Sequence, residues 1–348
     1  MLGTDTTMDD FQSEFRIGEK LLGAKHPVLI IAEAGVAHFG DIELARDLVD
    51  LAADAGADIF KTQFFDVEQL IAKRASHWQE RLRPRNLSLD DAHELKDRCE
   101  KRGLIFMSTA HDQSRISWLR ELEVPAVKVG SGERNNPRFV TELAEIGKPM
   151  IISTGMSYYS DVLETLDACA AGGCNQVALL HCVTSYPAPQ NQINLAAMQT
   201  LDRMFSGPVG YSDHTDGNLA VLAAVARGAK VVEKHITILR HVPNAQDWKV
   251  SAGPEDMAQL VTDIRRTEQM IGSGEKIPAP CEKDGIGWAL KSLVAIRDLP
   301  AGHFIAKEDL TAKRPGDGLL PNQLTKVVGC RLKRQIAADE LILPEDLI

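Results

Sequence analysis

The 348-residue sequence predicts an α/β protein, a (β/α)8 TIM barrel followed by a small β-rich domain. Three observations predict it: eight short apolar runs, helix-periodic segments between them, and a change of character after residue 272. Near-continuous apolar runs are typical of strands buried on both faces of a parallel sheet. Eight alternations of strand and helix over roughly 250 residues match the length of a TIM barrel.

The apolar runs follow one another along the chain, and each ends in small or polar residues. They are Val28–Gly35, Ala57–Gln63, Leu104–Ala110, Ala126–Gly132, Pro149–Gly155, Val177–Val183, Pro208–His214 and Val231–Thr237. The alternative fold is an open, doubly wound sheet. Neither Gly35 nor Gly155 opens a GxGxxG turn, so a dinucleotide-binding sheet of that kind is disfavoured.

Segments with helical periodicity separate the runs. Asp41–Ala55 repeats apolar residues at helical spacing and is followed by Gly56. Ser88–Arg102 opens with a capping-box-like pattern and stops at Gly103. The remaining predicted helices are Asp112–Leu122, Pro137–Ile146, Ser160–Ala171, Leu195–Phe205, Gly217–Arg227 and Pro254–Ile271.

The sequence predicts a barrel domain over residues 1–272 and a small β domain over residues 289–348. Residues 1–26 form an N-terminal extension, and we expect a hairpin within Phe15–Leu22 to close the bottom of the barrel. Residues 273–288 are rich in glycine, proline and charge, which is typical of a linker.

Composition excludes several classes of protein. The net charge of −10 argues against non-specific nucleic-acid binding. The sequence contains no run of the roughly 18 to 20 apolar residues that a membrane span requires. The six cysteines are scattered without a CxxC pair, and the start of the chain lacks the pattern of a secretory signal. We therefore expect a cytoplasmic protein with reduced thiols.

The functional residues of a TIM barrel lie at the C-terminal ends of its strands, and these ends are crowded with polar side chains here. Side chains alternate along a strand, so three pairs each share one face: Lys61 with Gln63, Ser212 with His214, and Glu233 with His235. If these faces point inward, the pairs converge on one pocket. Burying so many polar groups has no stability rationale unless they are paired or bind something.

The residue types indicate the chemistry. His214 and His235 come from adjacent strands and could hold one divalent metal that stays open to water and substrate. Lys61 and Lys128 offer charge for a phosphate and a carboxylate, and Glu33 is free to act as acid or base. Structural alternatives remain: a hydrogen-bonded strand-end histidine, a Lys61–Glu33 salt bridge, or a lysine that forms a Schiff base.

Taken together, these strand ends resemble the N-acetylneuraminate (sialic acid) synthase family. The matching stretches are Ile31–Asp41, Phe60–Gln63, Phe106–Asp112, Val127–Glu133, Ile151–Met156, Leu179–Pro189, Val209–Thr215 and Glu233–Thr237. The tail, Ser292–Gly318, looks like the SAF, or antifreeze-like, domain of that family. The resemblance covers nearly the whole chain.

The resemblance implies a transferase that condenses phosphoenolpyruvate with N-acetylmannosamine or a related sugar, giving a sialic-acid-type nonulosonic acid and phosphate. Carried over by position, the metal ligands for Mn²⁺ or Mg²⁺ are His214 and His235. Phosphoenolpyruvate is held by Lys61, Thr109, Lys128, Ser131 and Ser153, of which Lys61 and Lys128 are catalytic together with the proton carrier, Glu33. Sugar contacts are Gln63, Glu133, Tyr186 and Asp247, with Arg314 reaching the sugar across a domain-swapped homodimer.

The sequence departs from the family pattern where the sugar should lie. Relatives often have asparagine at the positions of Ala37, Phe39 and Thr184, and histidine where Trp248 follows Asp247. The resemblance therefore leaves the acceptor sugar open. One rival is a 3-deoxy-ulosonate synthase, which would need a second basic cluster for a phosphorylated sugar. Others are a lysine-dependent pyruvate aldolase and a non-catalytic carbohydrate-binding module.

Overall fold

The structure of the protein, a computed structural model, describes residues 10–243, 245 and 247–348. The chain divides after Gly272 into two compact units, and each is described by itself. Among the described residues, no helix combines the length and the apolar character that crossing a lipid bilayer demands.

Eight parallel strands close into a barrel in chain order, and the last pairs with the first, which confirms the predicted fold class. An N-terminal hairpin precedes them and a two-stranded antiparallel sheet follows. The hairpin strands are β1 (Glu14–Ile17) and β2 (Lys20–Gly23); the barrel strands are β3 (Leu29–Gly35), β4 (Ile59–Phe64), β5 (Ile105–Ala110), β6 (Val127–Val129), β7 (Met150–Ser153), β8 (Val177–Cys182), β9 (Val209–Asp213) and β10 (Val231–His235); the C-terminal strands are β11 (Ser292–Ala295) and β12 (Leu310–Lys313).

The helices of the barrel unit lie between its strands or after the last one, mostly where periodicity predicted them, and two short helices belong to the C-terminal unit. They are α1 (Ile42–Asp54), α2 (Val67–Leu70), α3 (Ser76–Leu82), α4 (Leu89–Lys101), α5 (Ile116–Glu121), α6 (Pro137–Ala144), α7 (Tyr159–Ala171), α8 (Ala196–Met204), α9 (Leu219–Ala226), α10 (Pro254–Ile271), α11 (Lys283–Ala289) and α12 (Leu324–Val327). The prediction for 112–122 was too long, because the Asp112 side chain accepts from Ser114 N and caps a 3₁₀ turn ahead of α5. The short helices α2 and α3 were not predicted.

The hairpin fills the lower half of the barrel interior. Phe15, Ile17 and Leu22 are buried in one apolar cluster with inward-facing strand residues such as Met107 and Ala178. A second and larger cluster lies between the strands and the surrounding helices. Since apolar side chains occupy the barrel bottom, the buried polar residues at the strand ends are concentrated at the opposite end.

A buried ion pair ties together the ends of β9 and β10. Lys234 Nζ lies 2.7 Å from Asp213 Oδ2 and also donates to the carbonyl oxygens of Thr215 and Gly217, at 3.0 and 2.8 Å. All three ammonium protons therefore have acceptors, and both charged side chains are almost inaccessible to water. Because each residue of the pair adjoins His214 or His235 in sequence, the pair fixes the backbone that carries these histidines.

The C-terminal unit has its own apolar core, which includes Leu293, Leu299, Ile336 and Ile342. Its two strands pair antiparallel. The segment expected to be a linker, residues 273–288, is not extended throughout, since most of α11 lies within it. The Glu282 side chain accepts from Ala279 N and begins the 3₁₀ turn that leads into this helix.

We predict that Lys234→Met lowers the free energy of unfolding by about 3–5 kcal/mol, because it leaves the Asp213 carboxylate buried without its counter-charge. Urea denaturation followed by circular dichroism measures this loss. The control is Lys96→Met, which removes a pair between half-buried Lys96 and exposed Glu100 and should change stability by no more than about 0.5 kcal/mol. Equal, small losses in both variants would show that the buried pair does not stabilise the barrel.

Candidate active site

A cavity of about 590 Å³ opens at the C-terminal ends of the barrel strands. Most of the site residues predicted from the sequence line it. They are Glu33, Lys61, Gln63, Thr109, Lys128, Ser131, Ser153, Tyr186, His214, His235 and Asp247. The inward-facing side chains at the strand ends therefore come together in one cavity, although they are far apart in the sequence.

Lys61 is the centre of the polar cluster. Its Nζ lies 2.8 Å from Glu33 Oε2 and 3.7 Å from Glu233 Oε2, and it donates to Thr109 Oγ1 at 3.4 Å. Gln63 Nε2 donates to the other Glu33 oxygen at 2.8 Å. Within the described residues, Oε2 of Glu33 and Oε2 of Glu233 both face Lys61 Nζ as ion-pair partners and make no further hydrogen bond, so each oxygen keeps a lone pair for a ligand or a proton.

Burial and charge set the protonation of this cluster. Burial opposes the charge of Lys61, but the carboxylates of Glu233 and Glu33 outweigh it and raise the lysine pKa. Burial also opposes the charge of Glu233, yet Lys128 and Lys61 hold its pKa below the usual range. For Glu33 burial prevails and the pKa is raised. Of these two carboxyl groups, Glu33 therefore holds a proton more readily than Glu233.

Lys128 forms a second cationic position. Its Nζ donates to Ser153 Oγ at 2.7 Å and to the Val129 carbonyl at 2.9 Å, and burial lowers its pKa. Ser131 Oγ accepts from Gly155 N at 3.0 Å. A Cβ at Gly155 would lie 2.3 Å from Thr184 Oγ1 and 2.7 Å from Ser131 Oγ. Glycine at this position therefore leaves room for both hydroxyl groups.

The two histidines face each other across β9 and β10, with ring centroids 5.3 Å apart. His214 Nδ1 lies 2.9 Å from the Val183 carbonyl, which assigns the proton to Nδ1 and leaves a lone pair on Nε2. Tyr186 OH lies 2.9 Å from that Nε2 and donates to it. An Nδ1–H bonded to a carbonyl is the arrangement that orients metal-ligating imidazoles.

These imidazoles fit a divalent metal whose other ligands come from water and substrate. Burial lowers the pKa of His235 to about 4, so its ring is neutral, as metal binding requires. Within the described residues, no group of three or more histidine, cysteine, aspartate or glutamate side chains could hold a metal by itself. A site with two histidines would therefore leave most of the coordination sphere open.

Two predicted sugar contacts do not line the cavity. Glu133 accepts from Asn136 Nδ2 at 3.0 Å and borders a small neighbouring cavity with Arg134. It follows Ser131 in a 3₁₀ turn, where residues two apart point in different directions. Arg314 belongs to the C-terminal unit, where its Nε donates to the Ala289 carbonyl at 3.0 Å.

The positions that depart from the family pattern have different surroundings. Thr184 lines the cavity directly. Ala37 is buried in the outer apolar cluster, whereas Phe39 lies beneath the guanidinium of Arg85 at 5.1 Å. Trp248 packs against the His241 ring, with centroids 4.7 Å apart. Of these four positions, Thr184 is the one that lines the cavity. Phe39 acts on the cavity through Arg85, which packs over its ring and lines the cavity itself.

Sequence reasoning missed several cavity residues. Sequence analysis assigned His111 no role at the site, but its backbone N–H donates to the Phe64 carbonyl at 3.0 Å and its ring lines the cavity. Glu233 was placed on the inward face without a specific role. Arg81 and Arg85 were not singled out, although the run Arg81-Leu-Arg-Pro-Arg85 was a signal for a basic wall.

The comparisons with known proteins agree with this geometry. Residues 48–276 match the NeuB family, and residues 291–348 match the SAF domain. The chain is 38% identical to the N,N'-diacetyllegionaminic acid synthase of Legionella pneumophila, over 95% of this chain and 97% of that protein. It is also 38% identical to the enzyme of the same name from Campylobacter jejuni, over 90% and 98%.

A solved structure has the same architecture. The N-acetylneuraminic acid (sialic acid) synthetase from Leptospira borgpetersenii, crystallised in complex with citrate, superposes with a TM-score of 0.74 at 33% identity. The match covers 79% of this chain and 96% of that one. The chain therefore belongs to the NeuB family, and it is a carbon–carbon bond-forming enzyme of the sialic acid synthase type with a SAF domain at its C-terminal end.

Proposed function

We propose that the enzyme condenses phosphoenolpyruvate with the open-chain aldehyde of an N-acetylated sugar, N-acetylmannosamine or a relative, to give a nonulosonic acid and phosphate. The observation that carries the proposal is the burial of Lys61 and Lys128 in one cavity with Glu33, His214 and His235. Relatives named as synthases of legionaminic, pseudaminic and N-acetylneuraminic acids support it.

The lysines suit phosphoenolpyruvate because that substrate carries a phosphate and a carboxylate. In the structure, Glu33 and Glu233 balance part of the positive charge of Lys61. Binding of the substrate adds negative charge beside the carboxylates, which raises the proton affinity of Glu33 further. The hydroxyl groups of Thr109 and Ser153, already bonded to the lysines, would complete the anion contacts.

A divalent cation, Mn²⁺ or Mg²⁺, held by His214 and His235 would supply Lewis-acid polarisation of the sugar aldehyde. Tyr186 OH donates to His214 Nε2 in the structure, and a metal on that nitrogen would take the place of the hydroxyl. The hydroxyl, with its ring 5.8 Å from the His235 ring by centroids, would then be free to orient the sugar. The walls of the barrel hold both substrates at contact distance, which the bimolecular step requires.

Carbon 3 of phosphoenolpyruvate attacks the aldehyde carbon, the new carbon–carbon bond forms, and the aldehyde oxygen takes up a proton. Positive charge develops at carbon 2, where water adds and gives up one proton. The C–O bond to phosphate then breaks, the hydroxyl proton at carbon 2 passes to the departing phosphate, and the 2-keto acid remains. Glu33, with its raised pKa and its oxygens held by Lys61 and Gln63, is the group that accepts the proton from water.

The same contacts weigh against Lys61 as the lysine of a Schiff-base aldolase. A Schiff base needs a neutral amine, whereas Lys61 lies beside two carboxylates that raise its pKa. Lys128, whose pKa burial lowers, is the lysine that borohydride trapping with pyruvate would have to test. A domain-swapped homodimer, in which Arg314 from a second copy contacts the sugar, remains part of our proposal.

We predict that Glu33→Gln lowers kcat by roughly 10²–10⁴-fold while phosphoenolpyruvate still binds, because the amide keeps the contact with Gln63 but cannot carry a proton. Phosphate release from phosphoenolpyruvate and an N-acetylated hexose measures turnover, and calorimetry measures binding. The matched control is Glu164→Gln, an exposed position on α7. Turnover of the Glu33→Gln enzyme at the wild-type rate would remove Glu33 from the mechanism.

We predict that His235→Ala loses bound divalent metal, since a single imidazole remains at the site. Elemental analysis of the purified protein after equilibration with Mn²⁺ measures the metal-to-protein ratio, and phosphate release measures activity. His93→Ala is the control, because His93 is an exposed residue that pairs with Glu121. Full metal content and activity in His235→Ala would refute the assignment of this residue as a ligand.

A further inference from the structure

His111 adds one more inward-facing side chain to the end of β5. Its backbone N–H donates to the Phe64 carbonyl at 3.0 Å, so the ladder between β4 and β5 continues beyond the last residue of β5. Side chains alternate along this strand: Met107 lies in the apolar cluster inside the barrel, whereas Thr109 and His111 line the cavity. The sheet therefore fixes the His111 ring one layer above Thr109.

The His111 ring is open to the cavity on the side of β6. Lys128 pairs with Thr109 in the register, so Gly130 stands at the level of His111. A Cβ on Gly130 would lie 3.7 Å from Cε1 of the ring, and glycine leaves that space free. Within the part of the chain that the structure describes, neither ring nitrogen of half-buried His111 makes a hydrogen bond. Both nitrogens are therefore available to a bound molecule.

The charges around His111 place it at the phosphoenolpyruvate end of the cavity. Lys61 acts on the ring from β4, Lys128 acts on it from β6, and Asp112 acts on it from the next position in the chain. The two lysines are the residues assigned to phosphoenolpyruvate. A phosphate group that both lysines hold is therefore a neighbour of the His111 ring.

The protonation of His111 depends on that phosphate. Burial and the charges of Lys61 and Lys128 lower the pKa of the ring to about 4, so it is neutral near pH 7. A bound phosphate offsets the charge of the lysines and raises the affinity of the ring for a proton. A neutral imidazole has one nitrogen that accepts a proton and one that donates. His111 therefore gains the ability to carry a proton at the stage when phosphate is bound.

The proposed condensation moves two protons at carbon 2, and Glu33 accounts for one of them. Glu33 accepts a proton from the attacking water, and its carboxyl group is then neutral and cannot accept another. Despite burial, the neighbouring lysines hold the pKa of Glu233 at about 2, so this carboxylate is a poor base. The second proton, which must leave the new hydroxyl group as phosphate departs, therefore needs a different carrier.

We propose that His111 is a catalytic residue whose imidazole carries the proton of the carbon-2 hydroxyl group to the departing phosphate. The free nitrogen accepts the hydroxyl proton, and the electron pair of that O–H bond forms the ketone. The electron pair of the breaking C–O bond goes to the bridging oxygen, which takes a proton from the ring. The ring ends neutral, as it began, and no further reactant is needed. The inference rests on the proposed condensation and assigns a residue to its last step.

Single turnovers separate this step from bond formation. Excess wild-type, His111→Phe or His111→Gln enzyme with Mn²⁺ and phosphoenolpyruvate receives N-acetylmannosamine, N-acetylmannosamine 6-phosphate or a neutral diacetamido-trideoxyhexose, whichever the wild type uses fastest. After rapid quenching, loss of the sugar measures carbon–carbon bond formation, and free phosphate measures the last step. We expect both variants to form the bond near the wild-type rate and to release phosphate roughly 10²–10⁴-fold more slowly. His93→Phe, at the exposed position paired with Glu121, is the matched control and should keep both rates.

Added imidazole gives a readout that a packing role would not move. His111→Ala leaves space beside Gly130, and free imidazole should restore part of the lost rate of phosphate release. Glu33→Gln should gain nothing from imidazole, because its defect lies in the proton taken from water.

Inorganic phosphate provides a measurement that needs no turnover. NMR of wild-type enzyme with ¹³C-labelled histidine follows the His111 ring, whose signal is assigned by its loss in His111→Gln. We expect phosphate to raise the pKa of His111 from about 4 toward neutrality. A pKa that stays unchanged while phosphate binds would show that the ring is not beside the phosphate, and it would overturn the inference.

The kinetic outcomes separate the two proposals. Wild-type phosphate release in His111→Phe and His111→Gln overturns the role of His111 and leaves the condensation standing. Equal losses of bond formation and phosphate release, without rescue by imidazole, overturn it too, because the ring would then only shape the cavity. A higher KM for phosphoenolpyruvate with an unchanged kcat would reduce His111 to a binding residue. Absence of phosphate release by the wild-type enzyme with all three sugars would sink the condensation and this inference together.

Discussion

Lys61 lies inside a closed barrel with its ammonium nitrogen 2.8 Å from Glu33 and 3.7 Å from Glu233, and water scarcely reaches any of the three. A buried charge is tolerated only when it is paired, and the pairing here is unequal. Glu233 stays ionised, whereas burial makes Glu33 ready to take up a proton. On our proposal the rest of the site depends on this inequality, because it separates one carboxylate that stabilises cations from one that transfers protons.

The barrel makes this arrangement stable by dividing its interior. The hairpin residues Phe15 and Leu22 fill the lower part, where burial of apolar surface stabilises the closed sheet. The polar residues are thereby confined to the opposite rim, where the Lys234–Asp213 pair holds the ends of β9 and β10. The apolar cluster at the bottom of the barrel and the ion pair between β9 and β10 thus stabilise the fold. The C-terminal ends of the strands can therefore carry charges that favour ligand binding.

The sequence predicted the rim well where strand geometry alone decides it. Alternation along a strand placed Lys61, His214 and His235 on inward faces, and the barrel closes those faces onto one cavity. It predicted less well where a turn follows the strand. Glu133 was expected at the sugar, but in the 3₁₀ turn after β6 it borders a small neighbouring cavity. The apolar run predicted a strand over 126–132, but β6 ends at Val129. Alternation along a strand gives no direction for side chains beyond that end, such as Glu133.

Arg81 and Arg85 were not placed at the cavity by the sequence for a different reason. The sequence shows their positive charge, but their position depends on the close approach of Gly40 to the Pro84 carbonyl, between segments far apart in the sequence, and on the short helix α3. A pattern along one segment cannot show a contact between two segments. The sequence could therefore mark this turn as basic, but it could not place the turn at the rim of the barrel.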